Sequence, residues 1–565
     1  MDPRDDLSPG DRLLRLDPAE TARQLDALPL EEQVAAVIGL PPGRKRQDLA
    51  LASSRPAELV RFLPPEDLVI TIKEIGDPDA LPLVELSSNA QLNYLFDLDL
   101  WFQAGMDLER VEHWLELLFE CGPERVLRWA RHADFELLVL LLERVCLQVD
   151  REAVDDLPEA VAGRVFSPDQ VHVLVVKLGV ELDLVRSLLE LLCGQDQELF
   201  LALMGNLGTT PLAELEELAL RWRDARLADR GWPDLDEALA FFQPRDRSDL
   251  PAAGPPRGLD NAPHYPLQVA GQRLFAAGLE RIADPAERHR LASQIANLIN
   301  RVLVADGMQV GELEALARAA ERVYGRLEIG LSELGAISPD SAARVASTVP
   351  LLYVAQVAQK ALQQRGARIR GLRAEAGDLF ALLAEPLRSR LQSAAAARPL
   401  FLPPGCALPR DFASPADLQA LDADLDRSEA AVRLGQALGL GADRLPATFP
   451  EGSFPGSIEA IDLELLLLTC FARAQLGLEP LAYPVPQARL PELFSGLPGD
   501  AASLRARIEA WARERIGTAE LPGLSELAGE LARRLASGLL VLDPRSIDPR
   551  FVDGLWIQAE QTARP

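Results

Sequence analysis

Aromatic side chains make up only 5% of this 565-residue chain, and lysine occurs just four times. With β-branched residues also sparse, an all-β architecture is excluded at the outset. Cysteine is equally thin: Cys121, Cys146, Cys193, Cys406 and Cys470 are an odd, scattered set. That rules out a disulfide framework and fits a reducing cytoplasm. No apolar run reaches the ~18 uninterrupted residues of a membrane-spanning helix. The two richest, "FELLVLLLERVCLQV" and "LELLLLTCFARAQLGL", carry charges. The opening "MDPRDDLSPGDRLLRL" lacks the apolar core of a signal peptide. Positive charge is short as well, the formal net charge being −28. A surface that acidic repels phosphate backbones and anionic headgroups, so binding to nucleic acid or to a membrane surface is not expected, and without a long apolar run neither is membrane insertion.

What is present is helix-forming. Leu, Ala, Glu and Arg dominate, and apolar residues at 48% with charged residues at 25% match a globular chain. "LPLEEQVAAV" at 28–37 and "LPPEDLVITI" at 63–72 align without gaps, 35 residues apart. Proline suits a first helical turn, and acids such as Glu31, Glu32, Glu66 and Asp67 meet the positive end of the helix dipole there. Shorter echoes, "GPERV" at 122–126 and "SPDQV" at 167–171, predict further helix starts. A period near 35 residues predicts stacked helical hairpins.

Apolar faces at i, i+3, i+4, i+7 support this: Val111, Trp114, Leu115, Leu118; Val126, Trp129, Ala130, Ala133; Leu138, Leu141, Leu142, Val145. The Val-rich "VHVLVVKLGV" at 171–180 fits strand or helix. Six prolines in 243–266 mark a linker or long loop. A second Pro-rich break spans 398–415. The expected organisation is a helical-hairpin array at 1–242, the linker at 243–266, a central helical domain at 267–397 and a C-terminal helical domain at 398–565. There Leu463, Leu466, Leu467 and Cys470 form one face and Leu504, Ile508, Trp511 and Ala512 another.

Several stretches raise the question of a site. "VLVADGMQVGELEAL" at 302–316 outlines a helix–loop–helix ion loop, with Glu312 and Glu314 beyond Asp306-Gly307. Placing Gly307 at the sixth loop position puts Val302, Val304 and Leu313 where calcium needs oxygen ligands, so calcium is excluded. The stretch resembles the helix junction of tellurite-resistance-B-like domains, and Gly307 is expected to cap a helix. "DADLD" at 422–426 spaces three acids, but Arg427 stands where a calcium turn needs Gly. His113, His132, His172, His264 and His289 have no zinc spacing. Walker A, G-x-S-x-G and HExxH patterns are absent, so no catalytic, cofactor or metal residues are assigned. The one basic concentration, "RGARIRGLR", offers Arg365, Arg368, Arg370 and Arg373 as an anion or partner contact. The alternative is a helix face pairing with the chain's own carboxylates.

"DALPLVELSSNAQLNYLFDLDLW" at 79–101, "ANLINRVLVADG" at 296–307 and "DPRFVDGLW" at 548–556 resemble a bacterial family of large, Leu-rich proteins of unknown function (domain of unknown function 6178). That resemblance implies no activity and no cofactor. The "LPxE" phrases separately resemble the helical N-terminal domain of MgtE-type magnesium transporters.

The sequence therefore predicts a mainly α, multi-lobed cytoplasmic protein with an N-terminal hairpin array. Arrays present broad contact surfaces, which points to a non-enzymatic scaffold or regulatory adaptor with an unknown protein partner. The alternatives are an enzyme whose site is assembled from distant residues, or a cytosolic divalent-cation sensor. A convergent polar pocket would separate the enzyme from the scaffold.

Overall fold

The computed structural model describes residues 8–102, 105–249, 273–307, 313–441, 445, 451–517, 520–543 and 547–559. It is 68% helical, as the composition predicts. The chain divides into two compact units. One comprises Met1–Gln243, Pro251–Val323 and Ser338–Tyr353; the other comprises Pro244–Leu250, Tyr324–Ile337 and Val354–Pro565. Of the expected linker, residues 250–266 lie outside the described residues.

The first unit opens with short helices: α1 Pro9–Leu13, α2 Pro18–Asp26, α3 Leu30–Ile38, α4 Arg44–Ala52, α5 Pro56–Phe62 and α6 Pro65–Ile75. It continues with α7 Leu81–Leu86, α8 Asn89–Asp99, α9 Leu108–Glu120, α10 Pro123–Ala130 and α11 Phe135–Val145. The "LPxE" phrases begin α3 and α6, and "GPERV" begins α10. From α2 to α10 each helix touches its next-but-one neighbour: α2 with α4, α3 with α5, and so on to α8 with α10. No single helix here is long enough to be stable alone, so its stability comes from the face it buries. Those faces are the ones the periodicity predicts: Val111, Trp114, Leu115, Leu118, Val126 and Trp129 are all buried. Each large apolar side chain so removed from water contributes about 1.5–3 kcal/mol.

Two arginines recur at matching places. Gly43 and Gly122 are N-caps at φ 122° and 101°, a left-handed setting that favours glycine. Three residues on stand Arg46 and Arg125, both 2% exposed. Arg46 donates to Ile38 O and Leu40 O at the end of α3, and to Asp67 at 2.8 Å. Arg125 donates to Val84 O, at the end of α7, and to Ser87 Oγ. Each guanidinium thus donates to carbonyls at or just past a helix end, Val84 O accepting from Ser87 Oγ as well at 2.7 Å.

"SPDQV" is not a helix start. It forms the loop between β4 (Val165–Phe166) and β5 (Val173–Val176), in a three-stranded sheet of order β3-β5-β4 with β3 at Cys146–Val149. The Asp169 carboxylate accepts from the N–H groups of Val171 and His172, a turn that competes with helix. The Val-rich 171–180 segment accordingly resolves as strand β5, all four of its residues buried. A two-stranded ribbon, β1 (Trp101–Phe102) with β2 (Gly105–Met106), links α8 to α9. The unit continues through α12 Glu159–Ala162, α13 Leu182–Gln195, α14 Gln197–Asn206, α15 Leu212–Ala228, α16 Leu235–Leu239, α17 Leu274–Glu280 and α18 Pro285–Ala305. Helix α20, Pro339–Thr348, also belongs to it, and α16 packs on α18.

Helices α19 (Leu313–Glu333) and α21 (Leu351–Ala376) contribute residues to both units. The second unit adds α22 Asp378–Ala381, α23 Leu387–Ala394, α24 Pro415–Leu438, α25 Leu463–Gln475, α26 Leu490–Gly496, α27 Ala501–Ile516 and α28 Leu524–Leu535. Its core gathers Leu463, Leu466, Leu467 and Cys470 with Leu504, Ile508 and Trp511, the faces read from the sequence. Gly330 lets α19 approach α21: a Cβ there would lie 2.0 Å from Val354 O. Near the C-terminus β8 (Ile557–Gln558) runs between β6 (Ser453–Phe454) and β7 (Val485–Pro486), seating Trp556 against Tyr483.

Candidate functional site

A buried polar assembly is built around the C-terminal end of α8. This helix starts with a capping box, Ser88 and Gln91 bonding reciprocally. Yet its last turn is acidic as well as apolar: Asp97 and Asp99 are both buried at 4% exposure. A buried carboxylate is costly unless paired and hydrogen-bonded, and the two are paired from opposite sides.

Asp99 accepts from Lys73 Nζ at 2.7 Å, Arg110 at 3.0 Å and the Trp114 indole N–H at 2.6 Å. Lys73 also bonds Asp77 through both carboxylate oxygens and lies over the Trp114 ring. His113 Nε2 stands 3.3 Å from Asp77 Oδ2. Helices α6 and α9 therefore hold this side of α8 through charge.

Asp97 is held by α15. Arg226 makes a two-pronged contact, Nε to Oδ2 at 2.8 Å and a terminal nitrogen to Oδ1 at 2.6 Å, and also pairs with Asp134. Arg223 Nε donates to the Asp97 carbonyl at 2.7 Å. Burial pushes the Asp97 carboxyl up from its ordinary value and the Arg226 bonds oppose it. Arg226 in turn is held above its usual value by Asp97. Arg230 reaches Glu66 at 3.2 Å and lies over Tyr94, whose hydroxyl accepts from Trp232 at 3.1 Å. Both oxygens of Asp77, Asp97 and Asp99 already accept bonds, so these carboxylates are engaged in structure rather than poised as bases. The sequence reading missed this assembly. Its one signal was the pair of aspartates inside the apolar "YLFDLDLW".

The basic stretch and the acid triplet, read separately in the sequence, meet in the second unit. Arg365 grips Asp422 with both prongs, at 2.9 and 2.7 Å. Arg368 takes Glu429 the same way, at 2.7 and 2.8 Å, and also pairs with Asp426. Asp424 is held by Arg390 and Arg427. Arg370 donates to Ala395 O at 3.2 Å from an exposed position, and Arg373 is exposed. Two of the four arginines thus belong to a seam between α21 and α24, and two face water.

In the 302–316 stretch, Gly307 adopts φ 61° at the end of α18, and Asp306 pairs with Arg322. Residues 308–312, Glu312 among them, lie outside the described residues, as does His264. His172 Nδ1 stands 2.6 Å from Asp169 Oδ2, and the ring sets its edge on Phe200. Among the described residues no three His, Cys, Asp or Glu side chains are grouped to hold a metal ion. Among them, too, no helix is long and apolar enough to cross a membrane.

The helices and their buried ion pairs define a mainly α-helical, multi-helix protein. The particular family is shown by the sequence: the model described as a family of unknown function (DUF6178) matches residues 22–558, and the chain belongs to that family. No curated protein and no solved structure matches the chain.

Proposed function

We propose that the chain is a non-enzymatic protein–protein interaction scaffold or regulatory adaptor working in the cytoplasm. The observation that carries this reading is the unbroken next-but-one packing from α2 to α10, which builds a broad surface from many short helices. The polar groups on α8 add support, because they are spent on one another rather than turned toward a substrate. Free thiols at all five cysteines agree with a reducing compartment. On the second unit, Arg370 and Arg373 are the arginines of the basic stretch best placed to meet an acidic partner segment.

Crosslinking in the native host, followed by recovery of the full chain, tests the reading. The same partner proteins should return in independent preparations and be lost on denaturation before crosslinking. A chain that returns alone, and that depletes a small molecule from a metabolite extract, would overturn the scaffold in favour of an enzyme.

A further inference from the structure

Helix α15 is fixed to the array in two different ways. Its first half is seated by Leu215 and Ala219, both buried, and by an ion pair from Arg144 of α11 to Glu216. The second half presents arginine instead. Arg223 and Arg226, with Arg230 in the turn that follows, are spaced i, i+3, i+7 and so share one face. That face meets the Asp97 carboxylate and carbonyl, Asp134 and Glu66. Leu227 and Trp232 are the apolar contacts buried at this end. Flanking this stripe on the helix, Trp222 is 48% exposed.

We propose that α15 is a displaceable strap: its arginine stripe fills an acidic groove lined by Glu66, Asp97 and Asp134, and a partner helix with the same arginine spacing takes that groove when the strap lifts. The groove is shown with its occupant in place, so the chemistry it accepts is read directly from α15. Arg226 and Arg230 keep 33% and 34% of their side chains exposed, against 19% for Arg223, and ion pairs that water and salt can reach exchange more readily than a packed apolar face. The partner half of the proposal rests on the scaffold reading; the strap itself does not.

Two measurements on the full chain decide it. In a variant carrying Arg223→Gln, Arg226→Gln and Arg230→Gln, amide hydrogen exchange across 212–228 should speed up by about tenfold or more, while α6, α8 and α9 keep their protection. A labelled peptide of residues 212–232 should then bind that variant about tenfold tighter than the wild type, whose groove is filled. Raising the salt should weaken this binding, and adding Asp97→Asn to the variant should weaken it by about tenfold. Unchanged protection of α15 would show that its apolar grip suffices and sink the strap. Joint loss of protection in α6 and α8 would make α15 part of one core, and equal peptide binding to both proteins would leave no hidden groove. No natural partner enters either measurement, so failure here is distinct from failure of the crosslinking test.

Discussion

Lys73 and Asp99 meet at 2.7 Å inside the first unit, with 6% and 2% of their side chains exposed. Removing one member of such a pair leaves the other charged and buried, which costs about 3–5 kcal/mol. Asp99→Ala should cost this much, because Lys73, Arg110 and Trp114 all lose an acceptor at once. Lys73→Met should cost less, since Arg110 still serves both Asp77 and Asp99. Urea unfolding of the two variants checks the order; Lys73→Met as the more damaging change would show that Arg110 does not share the load.

The paired capping arginines make a sharper comparison. Arg46→Leu and Arg125→Leu should each destabilise by about 2–4 kcal/mol, because several buried acceptors, carbonyls with Asp67 or Ser87, each lose a donor at once. Arg44, two residues before the first, pairs with Asp79 from a side chain 67% exposed. Arg44→Leu should therefore shift stability by less than about 1 kcal/mol. Similar losses at all three positions would show that the carbonyl contacts are not what these arginines supply.

These cases also show what was legible in the sequence. Apolar spacing located Val111 to Leu118, Leu138 to Val145 and Leu463 to Cys470, since a 3.6-residue period is a local property. Family phrases landed on core as well: Asn300, Leu555 and Trp556 are at most 1% exposed. The polar assembly was not legible, because Asp97 finds Arg226 across 129 residues and nothing local encodes that meeting. "SPDQV" failed for the opposite reason. Its proline and acid match a helix start, but Asp169 bonds forward into a turn and Gln170 adopts φ 61°, which ends helix before it begins.

That turn has a pH dependence with a definite sign. Burial opposes ionisation of Asp169, but the His172 N–H, its imidazole and the Val171 N–H together hold the carboxyl below its ordinary value of 3.8. A carboxyl depressed in the folded state adds stability above its unfolded value and loses it as the pH falls through the folded one. Hydrogen exchange in β5 should therefore accelerate below pH 3.8 in the wild type, beyond the intrinsic trend. Asp169→Asn should remove that extra acceleration. An identical profile in the variant would mean that the turn does not depend on the charge.

The two pairs of arginines on α21 should separate by function. Arg365 and Arg368 each hold a carboxylate of α24 with both prongs, so Arg365→Glu or Arg368→Glu places like charges together and should cost about 2 kcal/mol or more. Arg373→Glu, on an exposed position, should leave stability within about 0.5 kcal/mol. If Arg373 touches an acidic partner, the same change should abolish its crosslinks while the thermal midpoint stays put. Loss of stability at Arg373 would return all four arginines to the seam.

The last test concerns where the first unit ends. A boundary at 243–266 makes residues 1–242 an autonomous array, which we retain as a proposal to be measured against a longer fragment. Gly231 O accepts from Asn297 at 3.2 Å and Asn300 at 3.4 Å, and Arg301 of α18 donates to Glu237 O. A fragment stopping at 242 loses these bonds, at about 1 kcal/mol each, and exposes the face of α16 that α18 covers. Residues 1–353 retain every segment of the unit. Both fragments should give helical circular dichroism, with 1–353 melting roughly 5 °C or more above 1–242. Equal midpoints would mean that α18 adds nothing to the array and that the boundary read from proline content is the true edge of the folding unit. A shorter fragment without any cooperative transition would place α18 inside the core that folds the array, and the proposed boundary would be only a surface crossing.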